Sequence, residues 1–182
     1  MNTKLMKKIL ILIFLFLPLL SHAETSPSFY DYQTKLTDQE GQIVPFDIWK
    51  GHPVILSMFY TSCSYTCPLL FDAIKKIDQQ LSPEKQKEVR YLLISLDPQT
   101  DTPAVLKKKA LEAGFDLTRV KLVTGTDDQV REIASLLGIA YKKSTDGSIN
   151  HSTNMTLLDA AGKLKVQTED FNEGILKILK SL

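Results

Sequence analysis

Val54-Ile55-Leu56-Ser57-Met58-Phe59-Tyr60-Thr61-Ser62-Cys63-Ser64-Tyr65-Thr66-Cys67-Pro68 is the stretch on which the reading of this chain turns. Val54 to Tyr60 is almost continuously apolar, and Gly51-His52-Pro53 bounds it on the N-terminal side. A short run of this kind predicts a strand buried on both faces. Pro68 suits a first helical turn, where its missing N–H costs nothing. Leu69, Leu70, Ala73, Ile74, Ile77 and Leu81 then recur at helical spacing. The only two cysteines, Cys63 and Cys67, therefore stand where a strand hands over to a helix.

The rest of the chain extends this pattern. Tyr32 to Thr37 and Gln42 to Phe46, joined through Gly41, predict an N-terminal β-hairpin. Ser82-Pro83 interrupts the first helix or restarts a short one. Val89 to Leu96 reads as a second buried strand, ending at Asp97-Pro98. Asp101-Thr102-Pro103 is a helix start, and that helix carries Val105, Leu106 and Leu111 up to Gly114. Lys121 to Thr124 is a short strand. Thr126-Asp127-Asp128 caps a helix that ends at Gly138. Lys142 to Asn150 is polar and turn-like, with Asp146-Gly147 as its tip. Met155 to Leu158 and Lys163 to Val166 form a last hairpin, and Phe171 to Leu179 an amphipathic helix. Alternating strand–helix units imply parallel strands, and the terminal hairpins add antiparallel ones. The predicted fold class is α/β: a central mixed sheet with helices on both faces. A thiol pair after the first central strand narrows it to a thioredoxin-like fold.

Residues 1–23 read as a targeting segment: Lys4, Lys7 and Lys8, then an apolar run from Ile9 to Leu20, then Ser21-His22-Ala23. This is the pattern of a signal peptide, the alternative being an uncleaved N-terminal anchor. The expected organisation is a single domain over 24–182. Removing residues 1–23 leaves 19 of the 22 basic residues against 21 acidic ones, a formal charge of −2. Such a balance gives no reason to expect nucleic acid as a partner. Export places the cysteines in an oxidising compartment, where a pair is disulfide-bonded unless reduced or held by a metal.

Three uses of the thiols compete. A disulfide enclosing three residues constrains the unfolded chain little, so a structural staple is the weakest use. A thiol at a helix N-terminus is activated for redox chemistry, but the common redox motif has two intervening residues where this chain has three. A peroxidase would want Pro seven residues before the reactive cysteine, and Tyr60 stands there for Cys67. The third use is a metal. His52 and His151 are the imidazoles of the expected mature chain. His52 reads as a surface turn residue. His151 lies in a loop that a thioredoxin-like fold brings opposite the cysteine loop, and residues 144–158 lack the proline usual there. Two thiolates and an imidazole suit copper, with zinc second.

Three segments resemble the Sco/SenC family, thioredoxin-like copper-binding proteins of respiratory oxidase assembly. They are Tyr60-Thr61-Ser62-Cys63-Ser64-Tyr65-Thr66-Cys67-Pro68, Asp97-Pro98-Gln99-Thr100-Asp101-Thr102-Pro103 and His151-Ser152-Thr153. The resemblance spans roughly residues 30–180. It implies one copper ion per chain on Cys63, Cys67 and His151, with Asp97 as a nearby acid. Ser64 departs from the Pro the family often carries after its first cysteine. The implied function is a copper metallochaperone, not primarily an enzyme, delivering to the copper-site subunit of a cytochrome oxidase. Oxidation of Cys63 and Cys67 to a disulfide would release the metal. The alternative is a thiol–disulfide oxidoreductase that keeps a partner's copper-site cysteines reduced. Other copper chaperones or thiol reductases are further implied partners. The implied location is the periplasm or the outer face of the inner membrane, with membrane attachment only if residues 1–23 stay in place.

Overall fold

The computed structural model describes residues 27–64, 66–145 and 148–182. The expected signal peptide and the Asp146-Gly147 tip lie outside them. A 3₁₀ turn, Phe29–Asp31, leads into β1 (Lys35–Asp38) and β2 (Ile43–Pro45). β3 is Val54–Phe59, α1 Thr66–Gln80, α2 Pro83–Glu88 and β4 Arg90–Ser95. α3 is Pro103–Glu112, β5 Val120–Thr124 and α4 Asp127–Leu136. Then come β6 (Tyr141–Lys143), β7 (Ile149–His151), β8 (Met155–Leu158), β9 (Leu164–Thr168) and α5 (Phe171–Ser181).

β3 is the axis of the molecule, and every one of its residues is buried. It pairs in parallel with β4 and antiparallel with β8. The seven-stranded sheet runs β2-β1-β5-β4-β3-β8-β9, with the N-terminal hairpin joined antiparallel to β5. Gly41, at φ +76°, makes the β1–β2 turn, a conformation that a Cβ would disfavour. Alternation along the strands divides the core. Ile55, Tyr91 and Leu93 pack with Leu70 and Ile74 of α1, Leu106 and Ala110 of α3, and Ile175 and Ile178 of α5. Leu56, Met58, Leu92 and Ile94 pack on the other face with Val130, Ile133 and Ala134 of α4. This is the mixed sheet, covered on both faces, that the sequence predicts, in a thioredoxin-like arrangement. Among the described residues no helix is long and apolar enough to cross a membrane.

The structure corrects several local expectations. The polar stretch 142–150 is a two-stranded antiparallel ribbon, β6 with β7, outside the main sheet. Tyr141 and Lys143 share one face of it with Ile149 and His151, while Lys142 and Asn150 are exposed on the other. Charged residues in both strands dilute that alternation. Strand structure begins only at Lys35, because Ser28 and Asp31 form a capping box that winds Phe29–Asp31 into a turn. The inward face of α3 is Leu106 and Ala110, and Leu111 is exposed. Ser82 caps α2, so the helix restarts after Leu81.

Candidate metal centre

The cysteine loop is set by main-chain geometry at the C-terminal end of β3. Cys63 N–H donates to the Tyr60 carbonyl at 3.2 Å, turning the chain back on itself. Cys67, the second residue of α1, donates its N–H to Cys63 Sγ at 3.4 Å. A backbone bond at Tyr60 reaches the Cys67 sulfur. Each sulfur therefore meets a main-chain amide, which favours thiolate over thiol. Burial opposes this more strongly at Cys67, and its pKa is pushed well above the usual thiol value. Cys67 is fully buried and Cys63 is 9% exposed, so Cys63 is the cysteine nearer to solvent. No disulfide joins them. Beneath them Phe59, Phe71 and Phe115 stack edge to face, with centroids 5.4 and 5.2 Å apart.

The loop after β4 holds the cysteine loop in place. Asp101 is buried, and its carboxylate accepts from Thr61 N–H at 3.1 Å, from the Thr61 hydroxyl and from Ser95 Oγ at 2.6 Å. Asp101 is in turn seated by its own N–H on the Asp97 carbonyl at 2.8 Å. Sequence reasoning placed Asp101 at a helix start; Thr102 is the cap, and Asp101 is the staple between two loops. The signal available was Thr61 and Ser95, two hydroxyl donors at the ends of adjacent strands. Asp97 touches none of the three candidate ligands in the bonds it makes. Its carboxylate accepts from Lys143 Nζ at 2.8 Å, and its N–H donates to Ser95 Oγ.

His151 ends β7. Its Nδ1 lies 2.9 Å from the Ser152 carbonyl, which can only accept, so Nδ1 carries the proton and Nε2 keeps its lone pair. Thr153 Oγ1 lies 3.2 Å from the same nitrogen. Burial lowers the imidazole pKa, opposed by the Ser152 bond, so the ring is neutral at pH 7. The Tyr60 ring meets the imidazole edge to face at 5.6 Å. Behind it, Asn154 is pinned: its side chain donates to the Leu137 carbonyl, and Ser57 Oγ donates to its carbonyl at 2.5 Å.

The ligand atoms of Cys63, Cys67 and His151 all lie within 4.8 Å of one another, the one such group of three among the described residues. Three points so spaced lie within about 2.8 Å of a common centre, against about 2.0–2.3 Å for metal–imidazole and metal–thiolate bonds. A fraction of an ångström closes the site, and the soft donor set fits a soft metal. The structure thus brings together the three residues singled out in the sequence. His52 is elsewhere: it precedes β3, roughly 20 Å of strand from the cysteines, with Nδ1 3.0 Å from the Glu88 carbonyl.

The model of one family, SCO1/SenC, matches residues 22–181. The chain belongs to the SCO1/SenC family. A candidate copper-binding protein of Stutzerimonas stutzeri is 31% identical over 139 residues, covering 73% of this chain and 66% of that protein. The chain thus spans about two thirds of the length of that relative. The copper-bound ScoI structure of Bradyrhizobium japonicum superposes with a TM-score of 0.69 at 23% identity, over 82% of this chain and 98% of that one. BsSco, described with a disulfide switch and as a member of the Sco family of cytochrome c oxidase assembly proteins, gives 0.69 at 21% identity, over 87% and 95%. These likenesses establish a shared fold for this SCO1/SenC chain.

Proposed function

We propose that this SCO1/SenC chain is a copper metallochaperone, and that Cys63, Cys67 and His151 hold one copper ion as its cargo. The observation that carries the reading is the convergence of two sulfurs and a neutral imidazole within 4.8 Å. Two thiolates and one imidazole are a soft donor set, and three donors leave a face open for transfer. Family membership and copper-bound relatives of the same fold support the choice of copper over zinc. In this reading the chain is an exported single domain, 24–182, acting in the periplasm or on the outer face of the inner membrane. The recipient is the copper-site subunit of a respiratory oxidase. Chromophoric-chelator competition on the reduced protein tests it. The expected result is that His151→Ala weakens Cu(I) binding at least tenfold and that Cys63→Ser abolishes tight binding. Retention of the parent affinity by His151→Ala would remove the three-ligand site.

A second reading rests on the difference in exposure between Cys63 and Cys67. The Cys63 thiolate attacks a partner disulfide, forming a mixed disulfide and releasing one partner thiolate. Cys67 then displaces the second, leaving a Cys63–Cys67 disulfide and a reduced dithiol on the partner. Two electrons pass to the partner in this exchange, and both sulfur ligands are lost to copper. Metal-free turnover of a disulfide substrate, abolished in Cys63→Ser, is its test.

A further inference from the structure

The ribbon that carries His151 is attached to the body at two ends. At its base, Ser152 N–H donates to the Ala140 carbonyl at 3.0 Å, and Ala140 N–H donates to Ser152 Oγ at 3.2 Å. Toward its tip the attachment is Lys143. Strand alternation puts Tyr141, Lys143, Ile149 and His151 on one face. Ile149 is buried in the core cluster of the α4 face, and Tyr141 packs against it. Lys143 crosses to Asp97, whose side chain is 5% exposed.

Asp97 is a fixed anchor. Its N–H is held by Ser95 Oγ, and its carbonyl receives the N–H groups of Thr100 and Asp101. The Lys143–Asp97 pair also separates two surface cavities of about 420 Å³ each. One opens between the cysteine loop and the ribbon, by Tyr60, Ser62, Ser64 and Ser148. The other lies by Leu96, Arg131 and Tyr141. Without the pair the ribbon is left with its base, the apolar packing of Ile149 and Tyr141, and the Tyr60 ring against His151.

We propose that Lys143 is a positioning residue: its ion pair with Asp97 latches the ribbon so that His151 is presented to the two sulfurs. The proposal rests on the three-ligand reading above. Lys143 touches none of the ligands and acts only through where it holds the strand pair. A buried acid pinned by its own main chain makes one end of the pair rigid, unlike an ordinary surface pair. Among the described residues the Lys side chain makes no other hydrogen bond.

The test is Cu(I) affinity by chelator competition for Lys143→Met and Lys143→Arg, each in the parent and in a His151→Ala background. Lys143→Met is expected to weaken binding about tenfold in the parent, as loss of an orienting partner does, and to change nothing in His151→Ala. Lys143→Arg keeps the charge and should recover most of the affinity. Asp97→Asn should reproduce the Lys143→Met loss, and the double variant should be no weaker than either single one. In metal-free protein, the His151 imidazole resonances should broaden or shift in Lys143→Met. An equal loss in both backgrounds, or none in the parent, overturns the latch while leaving the ligand set intact. If His151→Ala itself binds as the parent does, the ligand set fails, and the latch with it.

Discussion

Asp101→Ala probes whether the cysteine loop is held by one buried carboxylate. Three donors converge on Asp101: the Thr61 N–H, the Thr61 hydroxyl and the Ser95 hydroxyl. Ser95 is fully buried, so its hydroxyl has no water to turn to, whereas Thr61 is only half-buried. Leaving a buried donor unmet costs about 1–3 kcal/mol, and a bond to a charged group is worth about 1.5–3. Counting Ser95 in full and the Thr61 pair as partly rehydrated gives a loss of about 3–4 kcal/mol. In a chain of this size that lowers the melting temperature by roughly 10 °C. Asp101→Asn should cost less than half as much. Its amide oxygen, in the Oδ2 position, still accepts from Thr61 N–H and the Ser95 hydroxyl, and the Thr61 hydroxyl oxygen can accept from its NH₂. Thr61→Val combined with Asp101→Ala should lose less than the sum of the two, because they share a bond. Urea unfolding of the metal-free protein measures all four. The reasoning is refuted if Asp101→Ala lies within 0.5 kcal/mol of the parent, taken as roughly the scale of a neutral surface change, or if the two losses simply add.

Three further outcomes are expected. At Asp78, burial alone would raise the carboxyl pKa, but hydrogen bonds from Arg119 and Tyr91 outweigh it and hold the pKa below the ordinary value. Its contribution to stability is therefore complete above the unfolded pKa near 4 and lost as pH falls through the lower folded value; Asp78→Asn should flatten the acid limb of a stability–pH curve. Gly162→Ala should destabilise the fold by about 1–3 kcal/mol in thermal unfolding. A Cβ there meets the Tyr30 ring at 2.4 Å on a backbone at φ +79°, and copper binding at the far end of β3 should be unchanged. Tyr60→Leu should leave the fold intact and loosen His151, read as a broadened imidazole signal, since the ring contact at 5.6 Å is lost.

The sheet was legible because its signals are local. Val54–Phe59 is apolar throughout, and Pro68, Thr102 and Thr126 sit where helix starts need them. The two cysteines were legible for the same reason. His151 was legible only through the fold, because its approach to Cys63 depends on β8 returning beside β3. The helix start at Asp101-Thr102-Pro103 was legible, but the role of Asp101 between the loops was not, because its bonds run 40 residues back to Thr61. The ribbon was missed because its inward face mixes Tyr141 and Ile149 with Lys143 and His151. A strand that lends an exposed cation to a distant buried acid has no hydrophobic period to read. Leu111 and Leu176 are exposed although they sit in apolar runs, since the faces of α3 and α5 are set by which neighbours arrive.

The ribbon β6–β7 shares no ladder with the seven-stranded sheet. Its opening therefore breaks its own few bonds, the Lys143–Asp97 pair and the packing of Ile149, and the sheet's ladders are spared. In hydrogen exchange the amides of Tyr141 to Lys143 and Ile149 to His151 should form a separate cooperative unit, exchanging by local opening, while those of β3 and β4 wait for global unfolding. Two donors then sit just beyond the end of a slowly exchanging strand, and the third on a unit expected to open early. Capture and release of a ligand by such a site can be governed by the lifetime of one small foldon, with the rest of the protein acting as a rigid mount.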